Sequence, residues 1–113
     1  MSVLPEVVDV VDDRASVLVD GGFCRGTDIV KALALGAEGV GLGRMMCLAL
    51  AADGADGVVR MLEILEQEMS IALALLGVCR VSELNQSHVM DVVPLPFEHA
   101  LHSAFPLLKD MQI

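Results

Sequence analysis

Tryptophan and tyrosine are absent from this 113-residue chain and phenylalanine occurs only three times, so single-stranded nucleic acid finds no aromatic platform on which to stack its bases. Basic residues are scarce too: 7 Lys and Arg stand against 16 Asp and Glu, a formal charge of −9. That balance argues against a nucleic-acid or anionic-membrane partner for the surface as a whole, while leaving room for one local anion site. Long apolar runs are missing. The longest, Met45–Ala52 and Ile71–Val78, fall far short of the ~20 residues that cross a bilayer. Met1–Asp13 is acidic and lacks the basic start of a secretory signal. Cys24, Cys47 and Cys79 are odd in number and form no Cys-x-x-Cys pair. They read as reduced thiols of a cytoplasmic protein, with no disulfide framework and no zinc.

Apolar residues, by contrast, make up 55% of the chain, and mean hydropathy is +0.66. Small domains have much surface per volume and normally need more polar cover than this. With a membrane span set aside, the excess is expected of a piece of a larger domain. Its apolar faces would then be covered by a second copy or by a chain that completes the fold.

Along the chain, Leu4–Val11 reads as a helix end and Asp12-Asp13-Arg14 as the turn after it. Ala15–Val19 has the unalternating β-branched pattern of a parallel strand buried on both faces. Thr27 or Asp28 can cap a helix over Ile29–Leu35, which Gly36 stops. Gly39–Gly43 is weak as a strand on propensity, but its place after a helix makes a β-α-β unit. A short helix over Met45–Ala52 follows, then a turn at Asp53–Gly57 and a long helix over Val58–Leu76 ended by Gly77. Val58, Leu62, Leu65, Met69, Ala72 and Leu76 form its apolar stripe, and Glu63, Glu66 and Glu68 its solvated face. Val81–Met90 is polar and compatible with a helix. Pro94 and Pro96 then precede a last helix over Phe97–Phe105.

The expected class is therefore α/β, and the order of elements suggests the chemistry. In (β/α)₈ barrels the loops after the last two strands, with the N-terminus of a short extra helix, often hold a phosphate. Asp20-Gly21-Gly22 closes the first strand and allows a close backbone approach. Gly43-Arg44 closes the second, offering backbone N–H groups and a guanidinium at a helix start, where partial positive charge gathers. Either motif alone carries no information. The two together, 24 positions apart at two strand ends, point to an anion site.

Asp20–Arg44, DGGFCRGTDIVKALALGAEGVGLGR, resembles the FMN-dependent 2-hydroxy acid oxidases and dehydrogenases, a family that includes glycolate oxidase and flavin-linked L-lactate dehydrogenases. The likeness continues into Glu63–Leu84, where a long acidic helix ends in Leu75-Leu76-Gly77 before Ser82-Glu83-Leu84. It implies that residues 1–90 are the C-terminal two βα units of a TIM (β/α)₈ barrel, an incomplete barrel here, with residues 91–113 a tail. It also implies that FMN is the cofactor, held through Asp20, Gly21, Gly22, Gly43 and Arg44. The complete enzyme would oxidise a small 2-hydroxy acid to the 2-oxo acid, with a histidine taking the hydroxyl proton as hydride passes to FMN. That histidine and a substrate-binding arginine belong just upstream of the segment resembled. No catalytic residue is therefore assigned, and the chain alone is expected to be inactive.

The family has an arginine where Cys24 stands. Arg25 occupies the variable position after it and is expected to point elsewhere and contribute little. IMP dehydrogenase and type 2 isopentenyl diphosphate isomerase carry similar glycine loops, but Gly43-Arg44 and Ser82-Glu83-Leu84 favour the hydroxy acid family. A non-catalytic half-module that binds phosphate or completes a barrel is the alternative from another class. His99 and His102, three apart beside Glu98, read as solvated residues because no third metal ligand accompanies them. Cys24 reads as a passive replacement although Arg25 could activate it. Met45, Met46, Met61 and Met69 read as core filler.

Overall fold

A computed structural model describes residues 1–92. Phe97–Phe105, His99 and His102 lie outside the described residues. Helix α1 (Leu4–Val11) has Pro5 in its first turn, where a missing N–H costs nothing. It ends where Asp12 turns left-handed (φ 47°), and Arg14 covers its last carbonyls, donating to Val11 O at 3.0 Å and Val10 O at 2.6 Å. Strand β1 (Leu18–Asp20) leads through the glycine loop into α2 (Gly26–Ala34), and β2 (Gly39–Gly41) runs directly into α3 (Gly43–Leu76). The strands are parallel, pairing Leu18 with Gly39, Val19 with Val40 and Asp20 with Gly41. This is a β-α-β unit followed by a further helix, the order expected.

Boundaries moved where pairing or packing sets them. β1 starts at Leu18 rather than Ala15, because its partner strand begins only at Gly39. The ladder reaches one step further back through Glu38 N–H to Val17 O, 2.8 Å. β2 ends at Gly41, since Gly43 is already the first residue of α3. Helix α2 begins a full turn earlier than Ile29. Asp28 acts in the third helical position, accepting N–H bonds from Cys24 (3.3 Å) and Arg25 (3.1 Å). The short and long helices of the sequence are halves of α3, separated by non-helical torsions at Asp53 and Gly54 alone. Val81–Met90 holds two single 3₁₀ turns, Val81–Glu83 and Gln86–His88, rather than a helix.

Leu4, Phe23, Ile29, Ala32, Ala37, Met61 and Leu65 form the core. Its position corrects the stripe read on the long helix. Met61 and Leu65 face inward while Leu62 and Leu76 are exposed, because α2 docks beside Leu65 and Met69. A Cβ at Gly26 would lie 2.6 Å from Met69 N and 2.7 Å from Leu65 O. Of the four methionines read as filler, Met46 is exposed. The strand expected to be buried on both faces is covered on one: Val17 and Val19 pack on the core, whereas Leu18 is 72% exposed. Leu48, Leu50, Ile71 and Leu75 add further uncovered apolar surface.

Candidate functional site

Parallel strands in register release their following loops at the same end, so Asp20-Gly21-Gly22 and Gly43-Arg44 converge there. Asp20 sits opposite Gly41, and a Cβ on Gly41 would stand 2.7 Å from Asp20 Oδ1. Only glycine at that point leaves room for the carboxylate. Gly21 (φ 106°) and Gly22 (φ 80°) then turn the chain through a region that L side chains avoid. Nothing lies within 4 Å of a Cβ built on either, so torsion dictates these glycines and the space above them is open.

Across that space α3 begins. The N–H groups of Gly43, Arg44 and Met45 precede any helical acceptor. No side chain caps this helix end, and its first turn holds no acid. The acid beside it is Asp20, whose Oδ1 would stand 4.0 Å from a Cβ on Gly43 and offsets part of the positive charge gathered there. Arg44 is exposed and makes no ion pair among the described residues. The two loops border a recess of about 430 Å³ lined by all five predicted residues, Asp20, Gly21, Gly22, Gly43 and Arg44, together with Cys24. Leu42, Met45 and Leu48 supply its apolar wall. Chemically it offers convergent donors and one cation for an anion, and in Asp20 an acceptor for hydroxyl groups. A ribityl phosphate has both features, so the residues present fit FMN. Among the described residues, no histidine lines the recess.

Arg25 does point elsewhere. Its Nε and Nη2 both reach Glu68 Oε1 at 2.8 Å, while Glu68 Oε2 accepts the Gly26 N–H at 2.7 Å. The Arg25 bond, and then the Gly26 bond, hold the Glu68 carboxyl below its ordinary pKa; Glu68 in turn raises that of Arg25. Glu68 is thus not part of the solvated face expected of it. The pair spans 43 positions, and the one hint in the sequence is a glycine at the start of a helix, a mark of close packing. A second recess, about 460 Å³, lies behind this pair between α2 and the end of α3. Its walls are largely apolar, and it shares no lining residue with the first and includes none of the strand residues. No cluster of metal-binding side chains occurs among the described residues. His88 Nδ1 is occupied by the N–H of Asn85 at 3.2 Å.

The profile of the FMN-dependent dehydrogenase family matches residues 1–91. An L-lactate dehydrogenase of Caulobacter vibrioides is 46% identical over 91 residues, 80% of this chain and 24% of the relative. A peroxisomal (S)-2-hydroxyacid oxidase of Arabidopsis thaliana is 47% identical over 89 residues, 79% of this chain and 24% of the relative. The chain thus spans about a quarter of the length of these relatives. Among solved structures, the monotopic membrane protein (S)-mandelate dehydrogenase superposes with a TM-score of 0.76 at 41% identity, covering 81% of this chain and 24% of that one. A flavocytochrome b2 variant with pyruvate bound gives 0.71 at 36% identity, over 92% and 29%. The solved neighbours are FMN-dependent (β/α)₈-barrel enzymes. Relatives named as peroxisomal and as membrane-bound show that the group occupies more than one location. No helix among the described residues is long and apolar enough to cross a membrane.

Proposed function

The chain belongs to the FMN-dependent dehydrogenase family, and from that premise we propose that residues 1–90 are the last two βα units of a (β/α)₈ barrel carrying its flavin-phosphate site. Residues 91–113 are a tail outside that unit. The complete enzyme oxidises a small 2-hydroxy acid to a 2-oxo acid, and bound FMN supplies the hydride acceptor. This chain contributes holding and orientation. Gly22, Gly43 and Arg44 receive the phosphate through backbone N–H groups and a guanidinium, a charge-assisted arrangement. Asp20, positioned against Gly41, accepts from ribityl hydroxyls.

What carries the reading is the convergence of Asp20-Gly21-Gly22 and Gly43-Arg44 on one recess at the ends of paired parallel strands. Family membership favours it over IMP dehydrogenase and isopentenyl diphosphate isomerase. None of the described residues is assigned a catalytic role, and the chain alone is inactive in this reading. Its uncovered apolar surface, Leu18 and Leu48 included, favours a second copy or a barrel-completing partner. The free thiols of Cys24, Cys47 and Cys79, all exposed, suit a reducing compartment such as the cytoplasm.

The test is a graft. Residues 1–90 replace the matching segment of a full-length L-lactate dehydrogenase of the family, with Cys24→Arg as a second version. Flavin uptake and lactate oxidation by the folded graft are expected. A graft that folds but takes up no flavin in either version contradicts the proposal.

A further inference from the structure

Loop Asp20–Arg25 borders the recess as far as Cys24 and is anchored to the helices from Phe23 onward. Asp20, Gly21 and Gly22 border the recess, and nothing fixes the two glycines sterically. The later part is pinned from several sides. Phe23 is buried in the core at 5% exposure. Cys24 and Arg25 donate their N–H groups to Asp28. Gly26 is pressed against α3 so closely that a Cβ would meet Glu68 Cβ at 2.6 Å. Glu68 closes this anchorage: one oxygen takes the Gly26 N–H, the other takes Arg25 Nε and Nη2. A single carboxylate on α3 therefore holds both the backbone and the side chain at the point where the loop becomes α2. Among the described residues it is the one charged link between the glycine loop and the helix whose first turn bears Arg44.

We propose that Arg25 and Glu68 are a positioning pair that fixes the Asp20–Cys24 loop in its phosphate-receiving geometry without touching the ligand. The idea rests on the flavin-phosphate reading above. It assigns a purpose to an arginine that the sequence alone sets aside, and it explains why Arg25 turns from the anion site that lies next to it. Because both guanidinium nitrogens converge on one carboxylate oxygen, a lysine can replace the arginine here, unlike at a two-oxygen fork.

The experiment titrates the full 113-residue chain with FMN and with riboflavin, which lacks the phosphate, and reads the ratio of the two affinities. Arg25→Ala and Glu68→Gln are expected to lower that ratio about three- to fivefold, the scale of one exposed ion pair. Arg25→Lys should stay within about twofold of the unaltered chain, and riboflavin affinity should fall less than FMN affinity, through Asp20 alone. A simple loss of fold lowers both affinities by the same factor, leaves the ratio unchanged and overturns the proposal. An unchanged ratio in Arg25→Ala and Glu68→Gln, with a collapsed ratio in Arg44→Ala, overturns the pair and leaves the site reading standing. No preference for FMN in the unaltered chain, or none lost in Arg44→Ala, overturns the site reading and the pair with it. Amide hydrogen exchange in the ligand-free chain gives an independent check. Exchange at Gly26, whose N–H Glu68 holds, should quicken about tenfold in Glu68→Gln while Ala32 to Leu35 stays constant, and an unchanged rate at Gly26 sinks the proposal.

Discussion

Asp20 and Gly41 face each other in register on neighbouring parallel strands, and the Asp20 carboxylate occupies the space where any side chain on Gly41 would begin. The glycine is there for the aspartate. This juxtaposition turns a short, glycine-rich strand of poor propensity into one wall of a recess, with an acceptor held beside the first turn of α3.

Gly41→Ala therefore forces the Asp20 side chain to move or the strands to part. Overpacking of this kind costs about 1–3 kcal/mol, to be read from urea unfolding. Asp20→Ala in the Gly41→Ala background should recover most of the loss, because the two nearest crowding atoms, Oδ1 and Cγ, are gone and only Cβ at 3.1 Å remains. Equal destabilisation in the single and double variants would show that the crowding lies elsewhere.

A pH dependence follows from Glu68. Its carboxyl is held below the ordinary value by the Arg25 and Gly26 bonds, so the folded state binds a proton less readily than the unfolded one. The stabilisation is present in full above the unfolded value of about 4.3. It is lost as pH falls through the lowered folded value. Arg25 is raised from a value already above that window and adds no slope within it. The urea midpoint of the unaltered chain should fall between pH 5 and 3 more steeply than that of Glu68→Gln, by a small margin because the pair sits at the surface. Parallel profiles would remove Glu68 from the account.

Features set by local chemistry were legible in the sequence. Helix α1 has the bounds expected, Gly36 and Gly77 stop their helices in left-handed torsions, and the five residues proposed to hold the phosphate and ribityl chain line one recess. What depends on a distant neighbour was not legible. The start of β1 is set by where β2 begins, and the inward face of α3 by where Gly26 lets α2 approach. Glu68 looked like one more acid on a solvated face, because its partner lies 43 positions away and nothing in residue spacing encodes a loop folding back onto a helix.

Assembly should follow from the uncovered apolar surface. Leu18 at 72% and Leu75 at 84% exposed stand with Leu48, Leu50 and Ile71, beside strand edges that no chain pairs among the described residues. Sedimentation of the purified chain should show self-association. A monodisperse monomer that unfolds cooperatively would mean that the chain closes its own core.

The chain alone should not reduce flavin when supplied with lactate or glycolate, because among the described residues no histidine borders the recess and proton abstraction needs a base within hydrogen-bond reach. Bleaching of FMN absorbance dependent on either acid would place a base where none is assigned.

The most direct test of the flavin-phosphate site compares FMN affinity in Arg44→Ala, Arg25→Ala and Cys24→Arg. Arg44 lies where the N–H donors of the α3 start converge, and a charge-assisted pair contributes about 1.5–3 kcal/mol. Arg44→Ala should therefore weaken FMN about ten- to a hundredfold, with riboflavin affected far less. Cys24→Arg should tighten FMN by adding a cation to the recess. Arg25→Ala should show only the smaller loss transmitted through Glu68. If Arg25→Ala weakens FMN more than Arg44→Ala does, the phosphate lies on the other side of the loop and the site described here is wrong.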